Sequence, residues 1–147
     1  MIPLLFEGIA VMGRGVRVLH LHLHGLFRSR DLELGRDADT GGQTLYVLDL
    51  VRSLAQRPEV ERVDVVTRLV QDRRVAADYE RPLEMIAPGA RILRFPFGPK
   101  RYLRKEQLWP HLEDLADQLV HHLTQPGHEV DWIHAHYADA GFVGALV

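Results

Sequence analysis

The chain has 147 residues, with 18 basic and 20 acidic side chains and a formal net charge of −2. This near balance argues against a general nucleic-acid binder and against a polybasic membrane surface. There are no cysteines, which excludes disulfides, thiolate metal ligands and a cysteine nucleophile, and agrees with a reducing compartment such as the cytoplasm.

The N-terminal stretch over residues 1–15 does not have the features of a signal peptide. Glu7 interrupts its short apolar pieces, no basic segment precedes them, and no small-residue cleavage site follows. We therefore expect an N-terminal extension at residues 1–15, followed by one domain over residues 16–147. No apolar run approaches the ~18 residues of a membrane helix, so a membrane protein is not expected.

Strand patterns and helix patterns alternate along the chain. Residues 16–23 are rich in β-branched and aliphatic side chains and predict a first strand, and a long polar loop at 24–42 follows it. The other predicted elements, in chain order, are a helix at 43–55, strands at 63–67 and 90–95, a helix at 106–123, a strand at 132–134 and the start of a helix at 142–147. Residues 68–88 show no periodicity and are predicted to be an irregular connection. The alternation predicts an α/β fold, with a Rossmann-like parallel sheet and flanking helices.

Two adjacent glycines precede the first predicted helix. Gly41 and Gly42 follow the first strand and its polar loop, and Gln43 comes next. Glycines let a backbone approach a ligand, and a helix N-terminus offers free N–H groups and the positive end of a dipole to an anion. The other interpretation is a tight turn that binds nothing.

A second polar loop follows the third predicted strand. Lys100, Arg101, Arg104 and Lys105 place four positive charges within six residues. Arginine and lysine suit a phosphate dianion, although such a run of charges also fits a solvated turn.

Polar side chains also follow the fourth predicted strand, where His136 lies beside Tyr137 and close to Asp139. Ligands of open parallel sheets bind beyond the carboxyl ends of the strands. Three polar loops at that edge therefore favour a binding site. His136 either acts in this site or is a hydrogen-bonded loop histidine.

Five histidines lie on the predicted strands or directly after them. His20, His22 and His24 alternate along the first strand and share one face, as His134 and His136 do along the fourth. Imidazole is a common metal ligand, so a metal site is one hypothesis. The metal hypothesis ranks last. Histidines in a sheet covered by helices are more often hydrogen-bonded packing residues, and no acidic residue lies at the spacing expected of a further metal ligand.

Familiar enzyme motifs are missing from the chain. It has no Walker, Gly-x-Ser-x-Gly or Gly-x-Gly-x-x-Gly motif, which removes the usual evidence for an NTPase, a serine hydrolase or a dinucleotide-binding protein.

Several motifs, in their order along the chain, resemble the sucrose-phosphate synthase family. They are LHGLFR at 23–28, LELGRDADTGGQ at 32–43, FPFGP at 95–99, Tyr102, Lys105-Glu106, Leu108-Trp109-Pro110 and HAHYADAG at 134–141. The resemblance implies a GT-B glycosyltransferase with two Rossmann-like domains, of which this chain would be most of the N-terminal, acceptor-binding domain. It also implies transfer of glucose from UDP-glucose to fructose 6-phosphate with retention of anomeric configuration.

The resemblance implies roles for individual residues. The substrate-binding residues would be Gly41, Gly42, Gln43, Lys100, Arg101, Lys105 and Asp139. Residues 41–43 would lie at the acceptor sugar and the donor diphosphate, and Arg101 and Lys105, together with Lys100, at the acceptor 6-phosphate. His136 would be the catalytic residue beside the transferred glucose. No resident metal and no tightly bound cofactor are implied; Mg²⁺ is compatible with the sequence but not required by it.

Two other functions stay open at this point. One is a sucrose synthase-type enzyme that uses unphosphorylated fructose, against which the basic loop argues. The other is a non-catalytic sugar-phosphate-binding module. Because the chain ends in an apolar run at Val147, we expect a fragment that lacks the C-terminal nucleotide-sugar domain and is inactive alone.

Overall fold

The computed structural model describes residues 13–147. Most of the predicted N-terminal extension, residues 1–12, lies outside the described residues. In the described part, no helix combines the length and apolar character needed to cross a bilayer.

A five-stranded sheet forms the centre of the domain. Its strands are β1 (Val16–Leu21), β2 (Val60–Arg68), β3 (Leu83–Ala87), β4 (Ala90–Phe95) and β5 (Trp132–Ala135), arranged in the order β3-β4-β2-β1-β5. The pairs β1–β2, β1–β5 and β2–β4 are parallel, and β3 runs antiparallel to β4. The carboxyl ends of four strands therefore meet at one edge.

Helices cover both faces of the sheet. They are α1 (Gly42–Ala55), α2 (Lys105–Leu108), α3 (Leu112–Leu123) and α4 (Tyr137–Leu146), with short 3-10 turns at Ala77–Glu80 and Trp109–His111. Along β1, Val16 and Val18 pack in the cluster that contains α1, whereas Leu19 and Leu21 pack in the cluster that contains α3 and α4. Burial on both faces explains why the central strands read as nearly continuous apolar runs.

The predicted α/β fold is confirmed, with one addition to the sheet. Residues 68–88, predicted to be an irregular connection, contain the last residue of β2, a 3-10 turn and the edge strand β3. Leu83 and Met85 of β3 are more than half exposed, because an edge strand that pairs on one side need not carry a strong apolar pattern. The sheet is consequently mixed rather than purely parallel.

Two predicted boundaries also differ from the structure. The first strand ends at Leu21, so His22 and His24 lie beyond it. The helix predicted at 106–123 is divided into α2, a 3-10 turn and α3. The division falls at Pro110, which has no N–H to continue an α-helical hydrogen-bond ladder.

Candidate substrate site

The N-terminus of α1 is open towards the carboxyl edge of the sheet. Its N-cap, Gly41, makes no side-chain capping bond, and the first turn carries no acidic residue. A Cβ atom added to Gly41 or Gly42 would meet no atom within 4 Å, and neither residue has a left-handed φ. The fold itself therefore does not require glycine at these positions. The free N–H groups and the dipole of α1 can act on an anion that occupies the open space.

The loop between β1 and α1 is held in place by Asp37. Its Oδ1 accepts hydrogen bonds from the backbone N–H groups of Asp39 and Thr40, at 2.8 and 2.9 Å. The same oxygen accepts a bond from the Tyr102 hydroxyl at 3.1 Å. Thr40 Oγ1 in turn accepts from the N–H of Leu26 at 3.1 Å. These bonds fix the path of a connection long enough to be mobile otherwise.

Gly25 permits the close approach of this loop to the end of β1. Its φ is +77°, and a Cβ atom there would overlap the backbone carbonyl of Asp39. We expect Gly25→Ala to lower the free energy of unfolding by about 3 kcal/mol, through left-handed strain and backbone overlap. Urea denaturation measures the loss.

Gly35 provides the matched control for this substitution. It has nearly the same φ, +78°, but no atom lies within 4 Å of an added Cβ. Gly35→Ala should therefore cost only about 1 kcal/mol, the strain alone. Equal losses in the two variants would show that the contact with Asp39 does not constrain the loop.

Two histidines directly after β1 each contact a predicted site residue. The Gln43 amide nitrogen donates to His22 Nδ1 at 3.1 Å. His24 Nδ1 donates to Asp139 Oδ2 at 2.8 Å, since a carboxylate only accepts. The sequence alone predicts only packing or metal ligation for these histidines. The structure shows that they orient the side chains at 43 and 139.

His136 directly follows β5 at the carboxyl edge of the sheet. Its Nε2 is 2.9 Å from His20 Nδ1, its ring stacks on His134 at a centroid distance of 4.3 Å, and the Tyr46 ring of α1 meets it edge-on at 5.8 Å. Burial, and then the charge of His134, lowers the pKa of His136 to about 4. The imidazole is thus neutral at pH 7 and offers one donor and one acceptor instead of a positive charge.

Tyr137, directly after His136, has a left-handed backbone conformation with φ of 75°. This conformation is uncommon for a bulky residue and costs free energy. It allows the chain to turn from β5 into α4 with His136 directed into the site. Strain of this kind is concentrated at functional sites in many proteins.

Asp139 is almost fully buried and both of its oxygens have partners. Oδ2 accepts the bond from His24, and Oδ1 accepts the N–H of Ala140 at 2.8 Å. The carboxylate also lies in the first turn of α4, where the helix dipole favours a negative charge. In this conformation it orients His24, and direct contact with a substrate stays a prediction.

Lys105 joins the basic loop to the rest of the edge. Its backbone N–H donates to Asp39 Oδ2 at 2.8 Å, and its Nζ lies 3.4 Å from the Tyr137 hydroxyl and 5.0 Å from the centroid of that ring. The hydrogen bond with Tyr137 raises the pKa of Lys105, so that its ammonium group is charged. Lys105 therefore lies at the same edge as the start of α1 and His136.

Arg101 and Lys100 lie further from this group. The Arg101 carbonyl accepts two bonds of 2.9 Å from Arg68, and its side chain is exposed. It lines a separate pocket of about 320 Å³ with Arg36, Asp37, Asp72, Arg74, Val75, Tyr102, Arg104 and Gln107. Lys100 is exposed and contributes its carbonyl to a bond from Gln71 N. Among the described residues, no hydrogen bond or ion pair links the side chain of either residue to Lys105 or His136.

Comparisons with known proteins give a consistent result. Residues 6–147 match the family model described as the sucrose synthase first GT-B domain. The chain is 40% identical to a probable sucrose-phosphate synthase of Vicia faba over 163 residues, and 41% identical to sucrose-phosphate synthase 1 of Arabidopsis thaliana over 162 residues. Each alignment covers 92% of this chain but only 15% and 16% of the relative, so the chain spans about 15% of the length of the curated relatives it matches.

A solved structure shares the fold. A sucrose-phosphate synthase from Thermosynechococcus elongatus superimposes with a TM-score of 0.71 and 24% identity, over 88% of this chain and 29% of the other. A second structure of that protein gives a TM-score of 0.60 at 21% identity. At these identities the likeness establishes the architecture only.

Proposed function

The chain belongs to the family of the sucrose synthase first GT-B domain, and from this premise we propose that it forms the acceptor side of a retaining enzyme that makes sucrose 6-phosphate. The donor is UDP-glucose and the acceptor is fructose 6-phosphate. A second GT-B domain supplies the nucleotide-binding surface, and no tightly bound cofactor takes part. The similarity to sucrose-phosphate synthases of about 40% identity supports this choice within the family.

The open N-terminus of α1 is the observation that carries the proposal. Gly41 and Gly42 leave room that the fold does not use, and uncapped N–H groups line it. His136 lies beside the same helix through its contact with Tyr46. A diphosphate at the helix start would place the bond to the anomeric carbon close to His136. The N–H groups and dipole would then stabilise the charge that develops on the leaving diphosphate.

The proposed reaction needs no protein nucleophile. The bond between the anomeric carbon and the diphosphate breaks, and the acceptor hydroxyl oxygen forms a new bond to that carbon on the same face of the sugar. The hydroxyl proton passes to the departing phosphate oxygen, which keeps the charges balanced. His136, neutral at pH 7, hydrogen-bonds to the transferred glucose and polarises it.

Lys105 is the proposed ligand of the acceptor phosphate. We expect the chain to bind fructose 6-phosphate and to bind fructose much more weakly. Lys105→Met should weaken fructose 6-phosphate binding about 10- to 100-fold, since a hydrogen bond to a charged group contributes about 1.5–3 kcal/mol. Isothermal titration calorimetry with both sugars measures this difference.

Lys100→Met is the matched comparison, because Lys100 and Lys105 are the only lysines in the chain. Lys100 is exposed five residues away, and its loss should change the affinity less than Lys105→Met does. A larger effect at Lys100 would assign the phosphate to the other end of the loop. Equal binding of fructose and fructose 6-phosphate would instead favour the sucrose synthase-type alternative.

The 147-residue chain alone is expected to be inactive. It carries the acceptor side of the proposed cleft, and the proposal assigns recognition of the nucleotide to the second domain. A radiochemical assay with UDP-glucose and fructose 6-phosphate should detect no sucrose 6-phosphate above the rate without protein. Measurable transfer would show that donor binding does not require a second domain.

A further inference from the structure

Three histidines from neighbouring strands form a compact cluster. His20 of β1 and His134 of β5 are partners in the parallel register, and His136 follows β5. One ligand nitrogen from each imidazole lies within 4.8 Å of the others. His20 and His136 are buried, whereas His134 is exposed. The exposed ring gives the cluster access to solvent.

We propose that His20, His134 and His136 bind one divalent transition-metal ion of the Zn²⁺ class, each through one imidazole nitrogen. Three histidines with an open fourth position form a known type of zinc coordination. Imidazole ligands suit zinc, cobalt, nickel and copper, whereas Mg²⁺ and Ca²⁺ prefer oxygen ligands. A three-histidine site needs no carboxylate. The lack of an acidic partner, which counted against a metal in the sequence, therefore does not exclude one here.

The distances require only small movements. His20 Nδ1 and His136 Nε2 are already 2.9 Å apart, and two nitrogens bound tetrahedrally to zinc at about 2.0–2.1 Å lie about 3.3 Å from each other. The exposed His134 ring has the freedom to close the remaining gap. The proton between His20 and His136 moves to another ring nitrogen by tautomerisation, so that both lone pairs face the ion.

Titration of the tag-free chain with Zn²⁺ and Co²⁺ tests this proposal. Calorimetry with Zn²⁺ should show one equivalent bound, and the visible spectrum of the Co²⁺ form should show coordination by nitrogen ligands in a tetrahedral field. His134→Gln should weaken binding at least about 100-fold, since even residues outside the coordination shell change metal affinity 10- to 100-fold. Excess Mg²⁺ should not displace either ion. Because His134 is exposed, the variant should keep the fold, which circular dichroism confirms.

His128→Gln is the matched control. His128 stacks on His122 at 4.2 Å, so this pair is a second place where two imidazoles lie close together. Wild-type stoichiometry and affinity in His128→Gln, together with their loss in His134→Gln, would support the proposal. Unchanged affinity in His134→Gln, loss in His128→Gln, or displacement by Mg²⁺ would overturn it. The proposed transferase function also uses His136, but the titration contains no sugar substrate, so failure of metal binding and failure of the transferase proposal can be distinguished.

Discussion

Replacing His136 with alanine is expected to lower kcat of the proposed two-domain transferase about 10²- to 10³-fold, the range typical for removing one hydrogen-bond donor that stabilises a transition state. The KM for fructose 6-phosphate should change little, because the proposed phosphate contact lies at Lys105. A loss confined to kcat indicates an interaction made mainly in the transition state. Steady-state kinetics with both substrates separates the two effects.

The pH dependence follows from the environment of His136. Its pKa is lowered from 6.5 to about 4, first by burial and then by His134. The neutral form therefore predominates from about pH 5 upwards, and the contribution of His136 should be constant there and lost as the pH falls through 4. We expect no ionisation of His136 in the kcat profile between pH 5 and 8.

Two variants separate this effect from loss of structure. His136→Gln keeps a hydrogen-bonding side chain and should retain more activity than the alanine variant. His128→Ala, a histidine remote from the sheet edge, should have wild-type kcat. If His136→Ala kept wild-type kcat, or if His128→Ala lost activity equally, His136 would not be the residue beside the transferred glucose.

The sequence was sufficient for the parts of the fold that are buried on both faces. The apolar runs of β1, β2 and β4 predict these strands, because parallel strands covered by helices have little alternation. It was not sufficient for β3, whose residues Leu83 and Met85 face solvent at the edge. The sequence also does not predict the break between α2 and α3. A proline in the first turn of a helix and a proline that interrupts a helix have similar local sequences.

The sequence predicts which loops form the candidate site, but it does not predict which of their side chains bond to each other. A strand, a polar loop and two glycines before a helix indicated residues 41–43 without any structure. Strand alternation also placed His20, His22 and His24 on one face. However, the bonds of His24 to Asp139 and of His20 to His136 join residues 115 and 116 positions apart. Such contacts depend on the strand order, in which β5 lies beside β1, and no local pattern specifies that order.

The basic loop shows a second limit of the sequence. Lys100, Arg101 and Lys105 were grouped because they are close in the chain. In the structure, the start of α2 places Lys105 against Asp39 and Tyr137, whereas Arg101 lines the separate pocket. The residue at which the loop becomes a helix determines which charged side chains lie together. The spacing of charges in the sequence does not specify that residue.

Replacing Asp139 with alanine is expected to lower the free energy of unfolding by about 3 kcal/mol, the cost typical of leaving a buried hydrogen-bond donor without its charged acceptor. The side chain of Asp139 has no exposed surface and that of His24 is 6% exposed. The alanine variant leaves the buried His24 N–H without its partner, and it removes the carboxylate that accepts the Ala140 N–H. Urea denaturation of the chain measures the loss.

Asp139→Asn distinguishes an orienting role from direct substrate contact. The amide oxygen can still accept the His24 bond, although without the negative charge. If Asp139 only orients His24, the asparagine variant should recover more than half of the lost stability and bind fructose 6-phosphate with nearly wild-type affinity. If Asp139 binds the substrate, the asparagine variant should recover stability but lose affinity by at least 10-fold, because a hydrogen bond to a charged group is then lost. An alanine variant as stable as the wild type would contradict the orienting role, since it would show that the bond between His24 and Asp139 does not hold the loop after β1 against α4.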